Sequence, residues 1–272
     1  MNKILNLIKL SRPLNTIVAG SAMVISSAIL SKLHDSTVVI TTVLVVMAYT
    51  AGANYLNDAI DVSTDLVNRP DRPIPRGIVT QNSAITISFL LFLFGTILAL
   101  RLNSKAIVIG VIIGMPLMVV YSTHLKSKPL IGNFVVATVI GLSFLFCGTA
   151  HHKIESMWLP AMLSFALTFL RELVKDIADL KGDLSDGLAT FPIMAGVHRS
   201  IQLVMFLCLL IGLIAMWPFF NGIYGFWYGI IVFIGVEIPL VIVVGLFLNN
   251  PGIVSAKQSS KIFTFENSFF VI

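Results

Sequence analysis

Nine of the 13 acidic residues of this chain lie in two short stretches: Asp58, Asp61, Asp65 and Asp71, then Glu172, Asp176, Asp179, Asp183 and Asp186. On a helix turning by about 100° per residue, positions 54, 58, 61 and 65 share an arc of roughly 60°. Asn54, Asp58, Asp61 and Asp65 therefore form one polar stripe. The same spacing, shifted by 118 residues, gives Glu172, Asp176, Asp179 and Asp183. Solvated helix ends account for isolated charges but do not predict a repeated spacing. Carboxylate and amide oxygens are hard ligands, and Mg²⁺ takes one or two carboxylates and completes its shell with water and substrate phosphate. Two matched stripes thus point to a paired Mg²⁺ site acting on a diphosphate.

Cations for such a substrate follow directly. The segment NRPDRPIPRG, residues 68–77, stiffens its backbone with three prolines and carries Arg69, Arg72 and Arg76. Planar guanidinium forks suit phosphate oxygens; as an alternative, basic residues here serve as anchors on one side of a membrane. Lys175 precedes the first aspartate of the second stripe, and the segment VVYSTHLKSKPLIG adds Tyr121 and Lys126. Tyr121 also suits a belt position at a membrane interface. His151 and His152 are expected at the surface of a loop, with no third ligand. Cys147 and Cys208 lie inside apolar runs without metal-ligand spacing and read as packing residues.

The elements that must position these groups are transmembrane helices. Of 272 residues, 57% are hydrophobic and 11% charged, and the mean hydropathy is +0.94. Crossing a hydrocarbon core of about 30 Å takes about 20 helical residues. Runs at 13–31, 37–60, 83–101, 104–121, 130–149, 157–178, 199–219 and 226–248 meet that length, giving eight spans in one integral membrane domain, residues 1–272. The first has no small-residue cleavage site and leads at once into further spans, so it is not a removable signal. Of the 18 Lys and Arg residues, only Lys32, Arg101, Lys105 and Lys153 fall in one set of alternate loops. The positive-inside bias then puts both termini and both acidic stretches on the cytoplasmic side of the cell membrane. The net charge of +5 is a consequence of that topology and calls for no nucleic-acid partner. Each acidic stretch sits at the negative end of its helix dipole, so a cation must compensate it.

With these residues in place, NDAIDVSTD (57–65) resembles the NDxxDxxxD motif of the UbiA superfamily of intramembrane prenyltransferases. KDIADLKGD (175–183) is similar to that family's second aspartate motif, and YSTHLK (121–126) to its intervening loop. The resemblance runs from about residue 8 to about residue 200 in order, spacing and span location. It implies an all-α polytopic bundle around a central cavity open to lipid. It implies that Asp58, Asp61, Asp65, Asp176, Asp179 and Asp183 hold Mg²⁺ and act in catalysis. Asn54, Asn57, Arg69, Arg72, Tyr121, Lys126 and Lys175 would bind the diphosphate of a prenyl substrate. NRPDRPIPRG together with RELVKDIADLKGD is most similar to the geranylgeranylglyceryl phosphate geranylgeranyltransferase branch of ether-lipid synthesis. Aromatic and chlorin acceptors of the quinone, tocopherol and chlorophyll pathways are the neighbouring alternatives. Such enzymes usually have nine spans, whereas the segment 255–272 is too short and too polar to be a ninth, which marks the C-terminal segment as atypical or truncated.

The expected chemistry is ionisation of an allylic C–O bond with charge on the leaving diphosphate neutralised by Mg²⁺ and basic side chains, in a cavity that excludes water. A cation-coupled transporter, the rival from another class, predicts several ionisable groups at mid-bilayer. Here only Glu237 lies there, as a cavity-lining group or as an interhelical hydrogen bond. Pro116 and Pro239 are positioned to kink their spans.

Overall fold

A computed structural model of the protein describes residues 3–126, 128–185 and 187–269, and every regular element among them is helical. In chain order these are α1 (Lys3–Leu10), α2 (Pro13–Ile29), α3 (Ser36–Ile60), α4 (Val62–Asn68), α5 (Gln81–Ala99), α6 (Ser104–Leu125) and α7 (Ile131–Ala150). A turn of 3₁₀ helix leads into α8 (Trp158–Ser185), followed by α9 (Phe191–Ala195), α10 (Val197–Phe220), α11 (Phe226–Asn249) and α12 (Ile253–Phe269). Seven of the eight expected spans reappear as helices long and apolar enough to cross a membrane. The first reappears as α2, which is apolar but only 17 residues long. The polar C-terminal segment, expected not to span, forms the helix α12 and is not among the spanning helices.

These helices are apolar nearly all round because lipid supplies no hydrogen bonds, so each span must close its own backbone ladder. Hydroxyls inside spans do the same: Thr41 Oγ1 donates to the Thr37 carbonyl at 2.7 Å and Ser27 Oγ to the Met23 carbonyl at 2.8 Å. Starts are marked by side chains that accept from the first turn, Asp35 for α3, Thr80 for α5 and Asn103 for α6.

The chain divides into two compact units. In the first, Met1–Lys126 with Thr138–Ala161, α3 packs between α2 and α5. Its core includes Val45, Tyr49, Phe92, Ala99 and Phe146. Gly95 lets α5 approach Tyr49 so closely that a Cβ there would lie 2.6 Å from the ring. A second cluster, Leu10, Tyr55, Ala59, Ile74, Val79 and Ala84, fastens the arginine-bearing loop to the end of α3. In the second unit, Ser127–Ala137 with Met162–Phe270, the core draws Leu173 and Ile177 from α8, Val204 and Ile211 from α10, and Val243 and Phe247 from α11. α12 adds Ala256 and Phe263 to that core.

Both span prolines coincide with a change in the helical ladder. A π-helical stretch, Val108–Gly114, lies just before Pro116, and another, Phe233–Glu237, just before Pro239. Proline removes one N–H from the i→i−4 ladder, and a widened turn is one way the helix absorbs the loss.

Candidate functional site

The first acidic stripe is not carried on one continuous helix as its spacing suggested. α3 ends at Ile60, Asp61 caps it with φ −78° and ψ 8°, and α4 restarts at Val62. The break sorts the carboxylates. Asp58 and Asp65 are each 5% exposed and turn toward one another's neighbourhood, whereas Asp61 is half-buried and pairs with Lys126. Arg72 Nη1 lies 3.2 Å from Asp58 Oδ1 and 2.6 Å from Asp65 Oδ2, so one guanidinium nitrogen bridges both carboxylates. Arg12 Nη2 adds a second bond to Asp58 Oδ1 at 2.7 Å. Two expected diphosphate ligands, Arg72 and Lys126, are therefore engaged with the first motif's aspartates.

Arg12 was not singled out from the sequence. It sits between α1 and α2 in the left-handed region, φ 49°, just before Pro13, whose ring disfavours a right-handed helical conformation there. Asn54, expected as an oxygen donor, uses its amide nitrogen instead, donating to the Ser11 carbonyl at 3.0 Å. Thr16 Oγ1 donates to the same carbonyl at 2.8 Å, so the corner bearing Arg12 is pinned one turn from Asp58. Asn57 Oδ1 is buried with no hydrogen-bond partner among the described residues. Arg69 is exposed at the end of α4, and Tyr121 is half-buried at the start of the π-helical turn Tyr121–Leu125.

The second stripe, within the second unit, does stay on one helix, α8. Glu172 is buried and neutralised by Arg171, whose Nε lies 3.1 Å from Oε1, and by Lys175, whose Nζ lies 3.6 Å from Oε2. Asp176 is half-buried and accepts from Asn133 Nδ2 at 2.8 Å, a partner the sequence did not single out. Asp179 is exposed with no partner among the described residues, and Asp183 is half-buried. Asp186 lies outside the described residues. Beside Asn133, an apolar recess of about 260 Å³ is lined by Leu130, Ile131, Phe134 and Phe169. Phe165 extends this aromatic wall, edge-on to Phe134 at 5.2 Å and stacked with Phe169 at 6.2 Å.

Among the described residues no three His, Cys, Asp or Glu side chains converge on a ready-made metal cage. The donor set nonetheless suits a hard divalent ion. Asp58 and Asp65 already close on a single positive centre, and neither Asp58 Oδ2 nor Asp65 Oδ1 accepts a hydrogen bond from the described residues.

Other expectations change. His151 is 4% exposed rather than at the surface, because Ser27 Oγ on α2 lies 3.0 Å from its Nε2. Glu237 is seated over Gly212 of α10, where a Cβ would come within 2.8 Å of Oε2, and its Oε1 is buried without a partner among the described residues.

A helical membrane protein with an NDxxDxxxD end on one span and a KDxxDxxxD end on another has the marks of an intramembrane transferase. Residues 15–263 match the UbiA prenyltransferase family, and the chain belongs to it. It is 36% identical over 203 residues to a digeranylgeranylglyceryl phosphate synthase of Methanothrix thermoacetophila, covering 73% of this chain and 74% of that one. It is 31% identical over 265 residues to one of Methanobrevibacter smithii, covering 93% and 91%. A solved structure concerned with digeranylgeranylglyceryl phosphate synthase in membranes superposes with a TM-score of 0.83 at 29% identity, over 100% of this chain and 96% of that one. A UbiA homolog from Archaeoglobus fulgidus bound to GPP and Mg²⁺ shares the fold, with a TM-score of 0.69 at 14% identity over 98% and 99% of the two chains.

Proposed function

We propose that this chain, acting as one membrane domain, transfers a geranylgeranyl group from its diphosphate to geranylgeranylglyceryl phosphate, a step of ether-lipid synthesis. The acceptor assignment rests on relatives of that activity at 31–36% identity. The chemistry rests on one observation above all, the approach of the Asp58 and Asp65 carboxylates to a shared positive centre. Asp58, Asp61 and Asp65 would hold one Mg²⁺, and Asp176, Asp179 and Asp183 another. Bound there, the ions supply charge neutralisation to a leaving diphosphate.

The chain's own groups do the rest. Arg69, Arg72, Lys126 and Lys175, with Tyr121 and Asn57, take up the diphosphate oxygens, which accept hydrogen bonds more strongly as charge builds on them. The allylic C–O bond breaks with its electron pair leaving on the diphosphate. The acceptor hydroxyl oxygen then forms the new C–O bond and gives up its proton. Apolar walls such as Phe134, Phe165 and Phe169 hold isoprenoid chain and exclude the water that would otherwise capture the allylic cation. Both termini and both motifs face the cytoplasm on this reading, in keeping with the basic-residue bias.

The test is purified protein incubated with geranylgeranyl diphosphate, Mg²⁺ and a panel of glyceryl phosphate, aromatic and chlorin acceptors, with products identified by mass spectrometry. Asp58→Ala and Asp176→Ala should each lose Mg²⁺-dependent diphosphate release while the protein remains inserted and monodisperse. Full release by either variant would remove the assignment.

A further inference from the structure

Arg72 stands where the function proposed above needs a metal. Its Nη1 is the atom shared by Asp58 and Asp65, at 3.2 and 2.6 Å, so the guanidinium fills the position between the two carboxylates. Mg²⁺ binds oxygen at about 2.1 Å, and an ion held by both groups has no room for a guanidinium nitrogen between them. Charge makes the same demand. Asp58 and Asp65 are already matched by Arg12 and Arg72, and a divalent ion added to that set would face two positive neighbours without any new anion. A diphosphate supplies the missing negative charge and a second place for a guanidinium to bind.

The two arginines differ in how they are held. Among the described residues the Arg12 guanidinium pairs with Asp58 alone, from a corner fixed by Asn54 and Thr16 through the Ser11 carbonyl. Arg72 bridges the pair, from a loop whose neighbours Arg69, Asp71 and Arg76 are all exposed. The loop is anchored beyond it, where Ile74 and Val79 are buried in the first unit's core and Gln81 Nε2 donates to the Ala59 carbonyl at 2.9 Å. The side chain thus has fixed backbone behind it and exposed loop neighbours beside it, and 21% of its own surface remains exposed, against 36% for Arg12.

We infer that Arg72 is an exchangeable counter-ion: it neutralises Asp58 and Asp65 in the empty enzyme, is displaced when Mg²⁺ arrives with a prenyl diphosphate, and then binds the diphosphate. Arg12 is the positioning residue that keeps Asp58 in place throughout. The inference rests on the metal-dependent reading of the site and deepens it by fixing an order. Metal alone binds weakly, and metal and diphosphate bind with strong mutual support. Free Mg²⁺ therefore does not lock the site before substrate arrives.

The decisive measurement is Mn²⁺ binding, followed by electron paramagnetic resonance on purified protein with no diphosphate present. Arg72→Gln and the apolar Arg72→Met should each raise Mn²⁺ affinity by about tenfold or more, since one of two competing unit charges is gone. Each should also weaken binding of inorganic diphosphate in the presence of Mn²⁺. Arg76→Gln, which removes the same charge from the same loop without touching a carboxylate, should shift Mn²⁺ affinity less than about twofold. Arg72→Lys keeps the charge and should stay near the parent protein, so that it reports charge exchange even if a neutral variant unfolds. Unchanged or weaker Mn²⁺ binding in folded Arg72→Gln or Arg72→Met, with binding still lost in Asp65→Asn, would overturn the exchange alone. Arg72→Lys binding as tightly as expected for Arg72→Gln would also overturn it. No Mn²⁺ binding in any of these proteins, with or without inorganic diphosphate, would bring down the metal-dependent reading itself.

Discussion

His151 shows how much a single side chain can depend on a partner 124 residues away. Ser27 Oγ donates its proton to the Met23 carbonyl, so toward the ring it can only accept, and Nε2 must carry the imidazole hydrogen. That leaves Nδ1 as a buried acceptor with no donor among the described residues. Burial lowers the His151 pKa; Asp35 pulls it back up, while Lys32, His34 and His152 press it down further. The folded protein thus keeps the ring neutral at a pH where the unfolded chain, with an ordinary value near 6.5, takes up a proton. Stability is whole above about pH 6.5 and falls as pH drops through and below it. Thermal unfolding in detergent from about pH 7.5 to 5 should show a falling midpoint, with a shallower slope in His151→Gln. A slope unchanged by the substitution would assign the acid sensitivity elsewhere. Neither this pairing nor that of Arg12 with Asp58 was legible in the sequence, because each depends on where two distant segments meet. The Arg12 contact further requires a left-handed residue before Pro13, a choice of backbone that composition does not reveal. The aspartates themselves were legible, since their spacing is a property of the chain alone.

At the level of elements, helical periodicity described the second stripe well and the first only in part. α8 runs unbroken through Glu172, Asp176, Asp179 and Asp183. The first stripe is interrupted at Asp61, and the interruption turns that carboxylate to Lys126 while Asp58 and Asp65 share Arg72. A period of 3.6 residues assumes an ideal helix, and nothing in the run NDAIDVSTD announces a break, as no glycine or proline occurs in it. The π-helical turns are similar: Pro116 and Pro239 signalled a disturbance, but not that it would take the form of a widened turn. The turn before Pro239 brings Glu237 onto Gly212 of the neighbouring span, and that contact can be measured. Gly212→Ala places a methyl group 2.8 Å from Oε2, the far end of a flexible side chain, so the carboxyl group swings aside at a cost of up to about 1 kcal/mol. In an Glu237→Ala background the same substitution should cost little, giving a coupling energy in a double-mutant cycle of chemical unfolding in detergent. Equal costs in the two backgrounds would mean that the two residues do not meet.

For the molecule as a whole, hydropathy was the most informative property of the sequence. The eight apolar runs correspond one for one to helices, because spanning lipid leaves a chain almost no other way to satisfy its backbone. The proposed sidedness rests on the bias of the basic residues and has its own test. The native cysteines, Cys147 and Cys208, are buried, whereas Lys105, in the first turn of α6, and Lys128, in the segment after α6, are exposed and fall on opposite sides of the membrane in the proposed topology. In intact cells a membrane-impermeant maleimide should label Lys105→Cys and spare Lys128→Cys, and inverted vesicles should reverse the pattern. Labelling of both from one side would contradict the topology. The shortness of α2 has a consequence for the lipid itself. Its 17 residues rise about 25 Å, a few ångströms less than a typical hydrocarbon core, while α3 and α10 have 25 and 24 residues to spend. A span this short is expected to thin the bilayer beside it, with acyl chains shorter or less ordered on that flank of the protein than in the bulk. Headgroups would then be drawn inward there, making the enzyme's neighbourhood a thin place in its own membrane.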